Sequence, residues 1–457
     1  MANARCCWIP HAHDSYGSQG IAPMAEMRAP SRIALAGFGA GAFGSTLSSG
    51  VVPLLFLFYL TEFAKIPPAL AGVLLAIPKL ADLLLDPWIG RRSDNAARAA
   101  GSRSHLIAFS AFSLPLILVL LFVPTVAFPM PVRIFVLGSF LVLQSLLLTV
   151  FTVAHTAIAS DMCDGMEHRS TLMSSRALGQ TIAGLLVTVL APQIVARFSA
   201  FHGGYLGAAL VLAAGAFVAL GVCWWVVRRV PLRTGVERER PPSLPKALRA
   251  TLRNKAFYGV ALILVLLGTS STALFSALPY ANKHLLKAGP ENLSVLLTPI
   301  FVALLAGVAA APWVARRVAP ARILGGALFL ALVGVVWFTA GPRTLTSMVA
   351  GGAMFGVACG GLTVLITTLA METATRSSAK GESLGLYLGV LFSAEKLGQS
   401  LGGIVVGIGL DWVGTLGATP DAPSLQRLAS LWMAAPASVL VLALVMVASL
   451  APRLRAL

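Results

Sequence analysis

Two aspartates four residues apart inside an otherwise apolar run hold the most chemistry in this sequence. In Lys79-Leu-Ala-Asp82-Leu-Leu-Leu-Asp86, helical spacing puts both carboxylates on one face about 6 Å apart along the axis, with Lys79 one turn earlier on nearly the same face. Two anions in a low-dielectric niche repel, and that repulsion favours whatever neutralises one of them, a proton or a small hard cation. Thr149, within the apolar run Leu146-Leu-Leu-Thr149-Val-Phe-Thr152, could add the hydroxyl oxygen that hard cations prefer. A purely structural pairing of Lys79 with Asp82 leaves one acid unbalanced, so a cation site is the favoured reading. The other ionisable groups in apolar surroundings are Arg176, Glu395 and Lys396. Each charge at the middle of a spanning helix costs about 2.5–3.5 kcal/mol, so each needs a partner or a task. Glu395 and Lys396 stand about 100° apart on a helix, so Glu395 is expected to pair with another element.

These residues sit in long apolar segments. With 57% apolar and 11% charged residues and a mean hydropathy of +0.84, the chain is excluded from the soluble globular class. The hydropathy pattern predicts an all-α membrane protein with about twelve transmembrane helices, at 33–60, 69–90, 105–128, 132–159, 173–194, 204–227, 257–285, 293–315, 323–340, 345–370, 382–410 and 428–450. The domain reading is a disordered cytoplasmic tail (1–32), an N-terminal six-helix half (33–227), a basic cytoplasmic linker (228–256), a C-terminal six-helix half (257–450) and a short cytoplasmic tail (451–457).

The net charge of +17 is spread over loops rather than gathered on one face, which argues against a nucleic-acid partner. With the N-terminus and every even-numbered connection on one side, that side holds 24 of the 34 Lys and Arg residues, nine of them between Arg228 and Lys255. The positive-inside rule then predicts an inner-membrane protein with both termini in the cytoplasm. Trp224 and Trp225, followed by Arg228 and Arg229, read as an interfacial belt. Cys6, Cys7, Cys163, Cys223 and Cys359 lack the spacing of a zinc site or a disulfide framework, and no cofactor is expected. Cys6, Cys7, His11 and His13 lie in a tail that has no signal-peptide pattern.

An internal repeat is legible. Leu178-Gly-Gln-Thr-Ile-Ala-Gly184 and Leu397-Gly-Gln-Ser-Leu-Gly-Gly403 lie 219 residues apart, at the fifth helix of each half. Their small residues allow close backbone approach.

Five ordered segments stand out: Gly41-Ala-Phe-Gly44, Asp82-Leu-Leu-Leu-Asp86-Pro-Trp-Ile-Gly90-Arg-Arg-Ser-Asp94, Glu167-His-Arg169 through Arg176, Asn254-Lys-Ala-Phe257, and Gly381-Glu-Ser-Leu-Gly385-Leu-Tyr387 with Lys396-Leu-Gly398. Together they resemble the glycoside-pentoside-hexuronide:cation symporters, the melibiose-permease-like branch of the major facilitator superfamily. The resemblance implies the major facilitator fold and alternating access. It makes Asp82, Asp86 and Thr149 the cation-binding residues for Na+, Li+ or H+, with Lys79 and Lys396 as coupling charges. Gly90 and Asp94 then belong to a gating motif, and Arg176 either lies near the substrate or faces the loop in a structural role.

The departures concern the sugar-binding groups. Thr46 and Thr152 stand where the melibiose-permease branch has acids, and Thr363 where it has an aromatic residue. His155 stands at a usually aromatic position, where it is either a packed histidine or a proton relay or pocket group. The expected substrate-binding set is Thr46, Thr152, His155, Arg176 and Thr363. The solute is a small molecule other than melibiose: another glycoside or pentoside, a uronate held by Arg176 and Lys396, or a lipid-like compound. The expected function is cation-coupled symport by a monomer in the bilayer, and not enzymatic. A proton-driven exporter on the same fold is the alternative. An intramembrane prenyltransferase would need a second Asp-rich cluster, and the later helices hold only Glu382, Glu395 and Asp411.

Overall fold

The structure, a computed structural model, describes residues 31–123, 127–162, 166–198, 204–228, 230, 255–378, 384–414, 416 and 420–454. Among them the chain forms twelve long helices and no strand. The first six are α1 (Arg32–Ser49), α2 (Pro68–Ala100), α3 (Ser104–Leu121), α4 (Met130–Met162), α5 (Met166–Arg197) and α6 (Tyr205–Val227). The second six are α7 (Lys255–Tyr280), α8 (Glu291–Ala315), α9 (Pro320–Ala340), α10 (Leu345–Ser378), α11 (Leu384–Val413) and α12 (Ala422–Leu454). Helices α2, α5, α10 and α12 run past their apolar segments, because hydropathy sees only the part in hydrocarbon and the backbone ladder continues into the polar region. The cysteine–histidine tail and most of the basic linker lie outside the described residues.

Ten of these helices are long and apolar enough to cross a membrane, and α2 and α11 are not in that set. Those two carry Lys79, Asp82, Asp86, Glu395 and Lys396, and they pack against each other between the halves. Phe112, Phe135 and Phe329 are exposed on the outer surface, as a lipid-facing wall requires. The guanidinium groups of Arg92, Arg228 and Arg317 lie over the rings of Trp88, Trp225 and Trp313, the kind of amphipathic pair found at a membrane interface.

Within each half the first and fifth helices touch at backbone distance. A side chain at Gly179 on α5 would collide with the Gly39 carbonyl of α1, and one at Gly398 on α11 with the Val265 carbonyl of α7. The repeated glycine therefore serves packing.

The halves also repeat where the sequence pattern showed nothing. Both α1 and α7 extend into wide π-type turns, Tyr59–Phe63 and Ala281–Leu285. In the first, Ala64 N donates to Tyr59 O and Ile66 N to Leu60 O; in the second, Leu286 N donates to Ala281 O and Ala288 N to Asn282 O. A left-handed lysine closes each, Lys65 at φ 54° and Lys287 at φ 52°. An arginine at the entry to the fourth helix of each half caps the turn: Arg133, in the first turn of α4, onto Ala64 O, and Arg343, two residues before α10, onto Leu285 O.

Candidate functional site

Helices α2 and α11 run antiparallel along the seam between the halves. At one level their backbones nearly touch: a Cβ on Gly72 would lie 2.7 Å from Gly403 O, and one on Gly407 2.6 Å from Pro68 O. Ten residues further along α2, about 15 Å by helical rise, stands Asp82, 4% exposed. Lys396 of α11 lies across the seam with its Nζ 3.4 Å from Asp82 Oδ2. A buried carboxylate thus meets an ammonium from the other half.

The third member is Ser145 of α4, whose Oγ is 2.8 Å from both Asp82 oxygens. A hydroxyl has one proton, so this is a single bifurcated donor, and the carboxylate keeps lone pairs for another positive partner. Gln144 fixes the register of α4 here by donating to Ser48 O of α1 at 2.8 Å. Thr149, also buried, follows Ser145 one turn later on α4. The sequence reading missed Ser145, although Gln144-Ser145 is the polar break in the middle of the apolar run of α4. Asp86, Gly90 and Asp94 fall on α2, and their side chains lie outside the described residues. The Glu167–Arg169 and Gly381–Tyr387 motifs are likewise outside the described side chains.

Beside this pair, between the halves, lies a cavity of about 550 Å³. Ser145 and Lys79 form part of its N-terminal wall, and Asp82, outside the lining, is reached through the Ser145 hydroxyl. The facing wall carries Ser271 and Phe275 of α7, Thr363 of α10, and Glu395 and Gln399 of α11. Glu395, expected to pair with another element, faces this space. Its Oε1 is 3.5 Å from Gln399 Nε2 on its own helix, and Lys79 of α2 and Lys396 act on its charge.

Of the expected substrate-binding residues, Thr363 lines the cavity and Thr46, Thr152, His155 and Arg176 do not. His155 is fully buried, stacked on Phe38 at 4.0 Å and on Phe151 at 5.0 Å, with Nε2 3.0 Å from Phe38 O. Thr152 O accepts from Thr156 Oγ1 at 2.7 Å, and the buried Nε of Arg176 has no hydrogen-bond partner among the described residues.

The cavity is closed at the end where the π-type turns lie. Thr61 Oγ1 and Tyr280 OH are 2.5 Å apart, Tyr280 OH donates to Leu57 O at 3.2 Å, and Lys283 pairs with Glu62. Ser294 of α8 donates to Val189 O of α5 at 2.8 Å. Every one of these contacts joins one half to the other.

Two repeated six-helix halves, a cavity between them and a charge pair across the seam define a multi-pass membrane transporter. The chain belongs to the MFS/sugar transport protein family, which it matches over residues 37–451. It is 21% identical over 417 residues to the uncharacterized symporter YjmB of Bacillus subtilis (strain 168), covering 89% of each chain. It is 22% identical over 382 residues to the isoprimeverose transporter of Lactiplantibacillus pentosus, covering 80% of this chain and 77% of that one. The match to the inner membrane symporter YicJ of Escherichia coli (strain K12), 24% over 220 residues, spans about half of each, 48% of this chain and 46% of the relative. The fold is shared with a mutant of the nucleoside transporter NupG, at TM-score 0.69 and 13% identity over 90% of this chain and 99% of that one. It is shared equally with a bacterial homologue of the human lysosomal transporter Spinster, inward-facing and unoccupied, at TM-score 0.66 and 14% identity over 92% of this chain and 95% of that one.

Proposed function

We propose that the chain is a cation-coupled symporter of a sugar, glycoside or related small organic solute, working by alternating access. The contact between Asp82 and Lys396 carries this reading, because it is a buried charge pair whose two members belong to different halves. With no coupling ion bound, Lys396 neutralises Asp82 and ties α11 to α2. A Na+, Li+ or H+ competes for the same carboxylate and frees Lys396, so the seam loosens only when the ion is present. Asp82 and the hydroxyl oxygen of Ser145 are the first ligands. Asp86, one turn along α2, and Thr149, one turn along α4, extend the oxygen set, and Lys79 balances its charge. Ion and solute then favour the same arrangement of the halves, and their affinities rise together by linkage.

The relatives named as symporters and as an isoprimeverose transporter support the sugar-type solute and ion coupling. With both termini in the cytoplasm of the inner membrane, the sealed end at Thr61 and Tyr280 faces outward. Gly90 and Asp94 stand at the cytoplasmic end of α2, where a gating role fits.

The test is uptake into proteoliposomes driven by an imposed Na+ or pH gradient, run in both directions. Asp82→Asn should abolish gradient-dependent accumulation while the protein still purifies as a folded species. Accumulation by the variant that still follows the ion gradient would remove Asp82 from the ion site.

A further inference from the structure

The α11 wall of the cavity holds an acid that the coupling mechanism does not use. Glu395, Gln399 and Gly403 follow at four-residue spacing on α11, so they share one face, and all three line the cavity. The Glu395 carboxylate and Gln399 amide are in weak contact at 3.5 Å, which leaves acceptor and donor capacity on both for a ligand. Phe275 and Phe355 belong to the same lining; their rings meet edge to face with centroids 6.2 Å apart. The cavity thus combines a phenyl platform with a carboxylate and an amide, and a volume of about 550 Å³ holds a mono- or disaccharide-sized solute.

Charge restricts what that solute can be. Lys396 is engaged with Asp82, and Arg176 is absent from the lining. The two cations invoked to hold a uronate are therefore engaged elsewhere or outside this lining, and Lys79, the lysine among the described lining residues, already acts on the Glu395 carboxylate, so an anionic solute would have to compete with Glu395 for it. A like charge brought against that carboxylate in a half-enclosed site is disfavoured.

We propose that Glu395, with Gln399, forms a solute-recognition subsite in the C-terminal half that takes neighbouring hydroxyls of a neutral polyhydroxylated compound, packs its apolar face on Phe275 and Phe355, and turns away anionic sugars. This rests on the cavity being the transport path. Glu395 here is a specificity residue, distinct in role from Asp82. Its place in the repeat marks the specialisation, because the residue 219 positions earlier, at the corresponding point of α5, is Arg176.

The experiment measures both gradient-driven uptake and gradient-free exchange of isoprimeverose, methyl β-glucoside and glucuronate in proteoliposomes of the full chain. It compares wild type, Glu395→Gln, Glu395→Ala, Gln399→Ala and Asp82→Asn. Wild type should move a neutral sugar and discriminate against glucuronate. Glu395→Ala should weaken apparent affinity for the neutral sugar about tenfold or more in both assays, the size expected for losing charge-assisted hydrogen bonds, with ion dependence retained. Glu395→Gln should lose less and should narrow the discrimination against glucuronate. Ion dependence that survives in the Glu395 variants shows that they are folded. Preference of wild type for glucuronate, or unchanged neutral-sugar affinity in Glu395→Ala, overturns the subsite and leaves ion coupling standing. Loss of ion dependence in Asp82→Asn with exchange intact supports the coupling site independently. No movement of any of the three sugars by wild type overturns the subsite and the sugar reading together.

Discussion

The two halves share a scaffold and divide the chemistry. Both end their first helix in a wide turn closed by a left-handed lysine and capped by an arginine, and both wedge a glycine of the fifth helix against the first. Yet the positions that carry Lys79, Asp82 and Asp86 on α2 are filled, 222 residues later on α8, by Phe301, Leu304 and Val308. Phe301 and Leu304 face the same cavity. On the fifth helices the asymmetry is reversed: α11 carries Glu395 and Lys396 where α5 carries Arg176 and Ala177. Backbone geometry is therefore duplicated and charge is not. One half presents the anion and the other the cation, which lets a single small ion act on the seam between them.

If the shared scaffold is symmetric in energy as well as geometry, Gly179→Val and Gly398→Val should be equally damaging. Each drives a side chain into a carbonyl of the neighbouring helix. A loss of about 3 kcal/mol or more is expected for such overpacking, seen as a collapse of monodisperse protein in size-exclusion chromatography. Tolerance of one and not the other would show that the halves are packed unequally.

A smaller effect should appear at the sealed end. Tyr280→Phe removes a hydroxyl that bonds both Thr61 and Leu57 of the opposite half. At about 1 kcal/mol per hydrogen bond, it should raise several-fold the rate at which an external thiol reagent reaches a cysteine placed at Thr272 on the cavity wall. An unchanged rate would mean that Glu62 with Lys283 and Ser294 with Val189 hold this end shut without Tyr280.

Much of this was legible before any coordinates. Twelve apolar segments gave twelve helices because hydrocarbon thickness fixes their length and leaves few alternatives. Asp82 and Lys396 stood out because a charge in lipid is costly and rare. Ser145 did not, since one hydroxyl among several on α4 has no distinguishing cost, and only the rotation of the helix shows which of them meets the carboxylate. The matching turns after Tyr59 and Ala281 share almost no residues beyond Lys65 with Pro68 and Lys287 with Pro290, so backbone hydrogen bonding reveals a repeat that composition hides. His155 could be named from sequence as a packed histidine, a proton relay or a pocket group, and its stacking between Phe38 and Phe151 becomes visible only in the structure. Glu395 was visible as a costly charge, but its direction depends on where α7 and α10 stand across the cavity.

The bond between the halves can be interrogated by a double-mutant cycle on apparent coupling-ion affinity, using Asp82→Asn, Lys396→Gln and the pair. With Asp82 present, Lys396→Gln should tighten ion binding about tenfold by removing the competing ammonium, within the range of about 0.5–3 kcal/mol seen for contacting residues. In the Asp82→Asn background the same change should have no effect. An ion affinity that ignores Lys396, or two effects that simply add, would mean that the ion does not compete for the contact that joins α2 to α11.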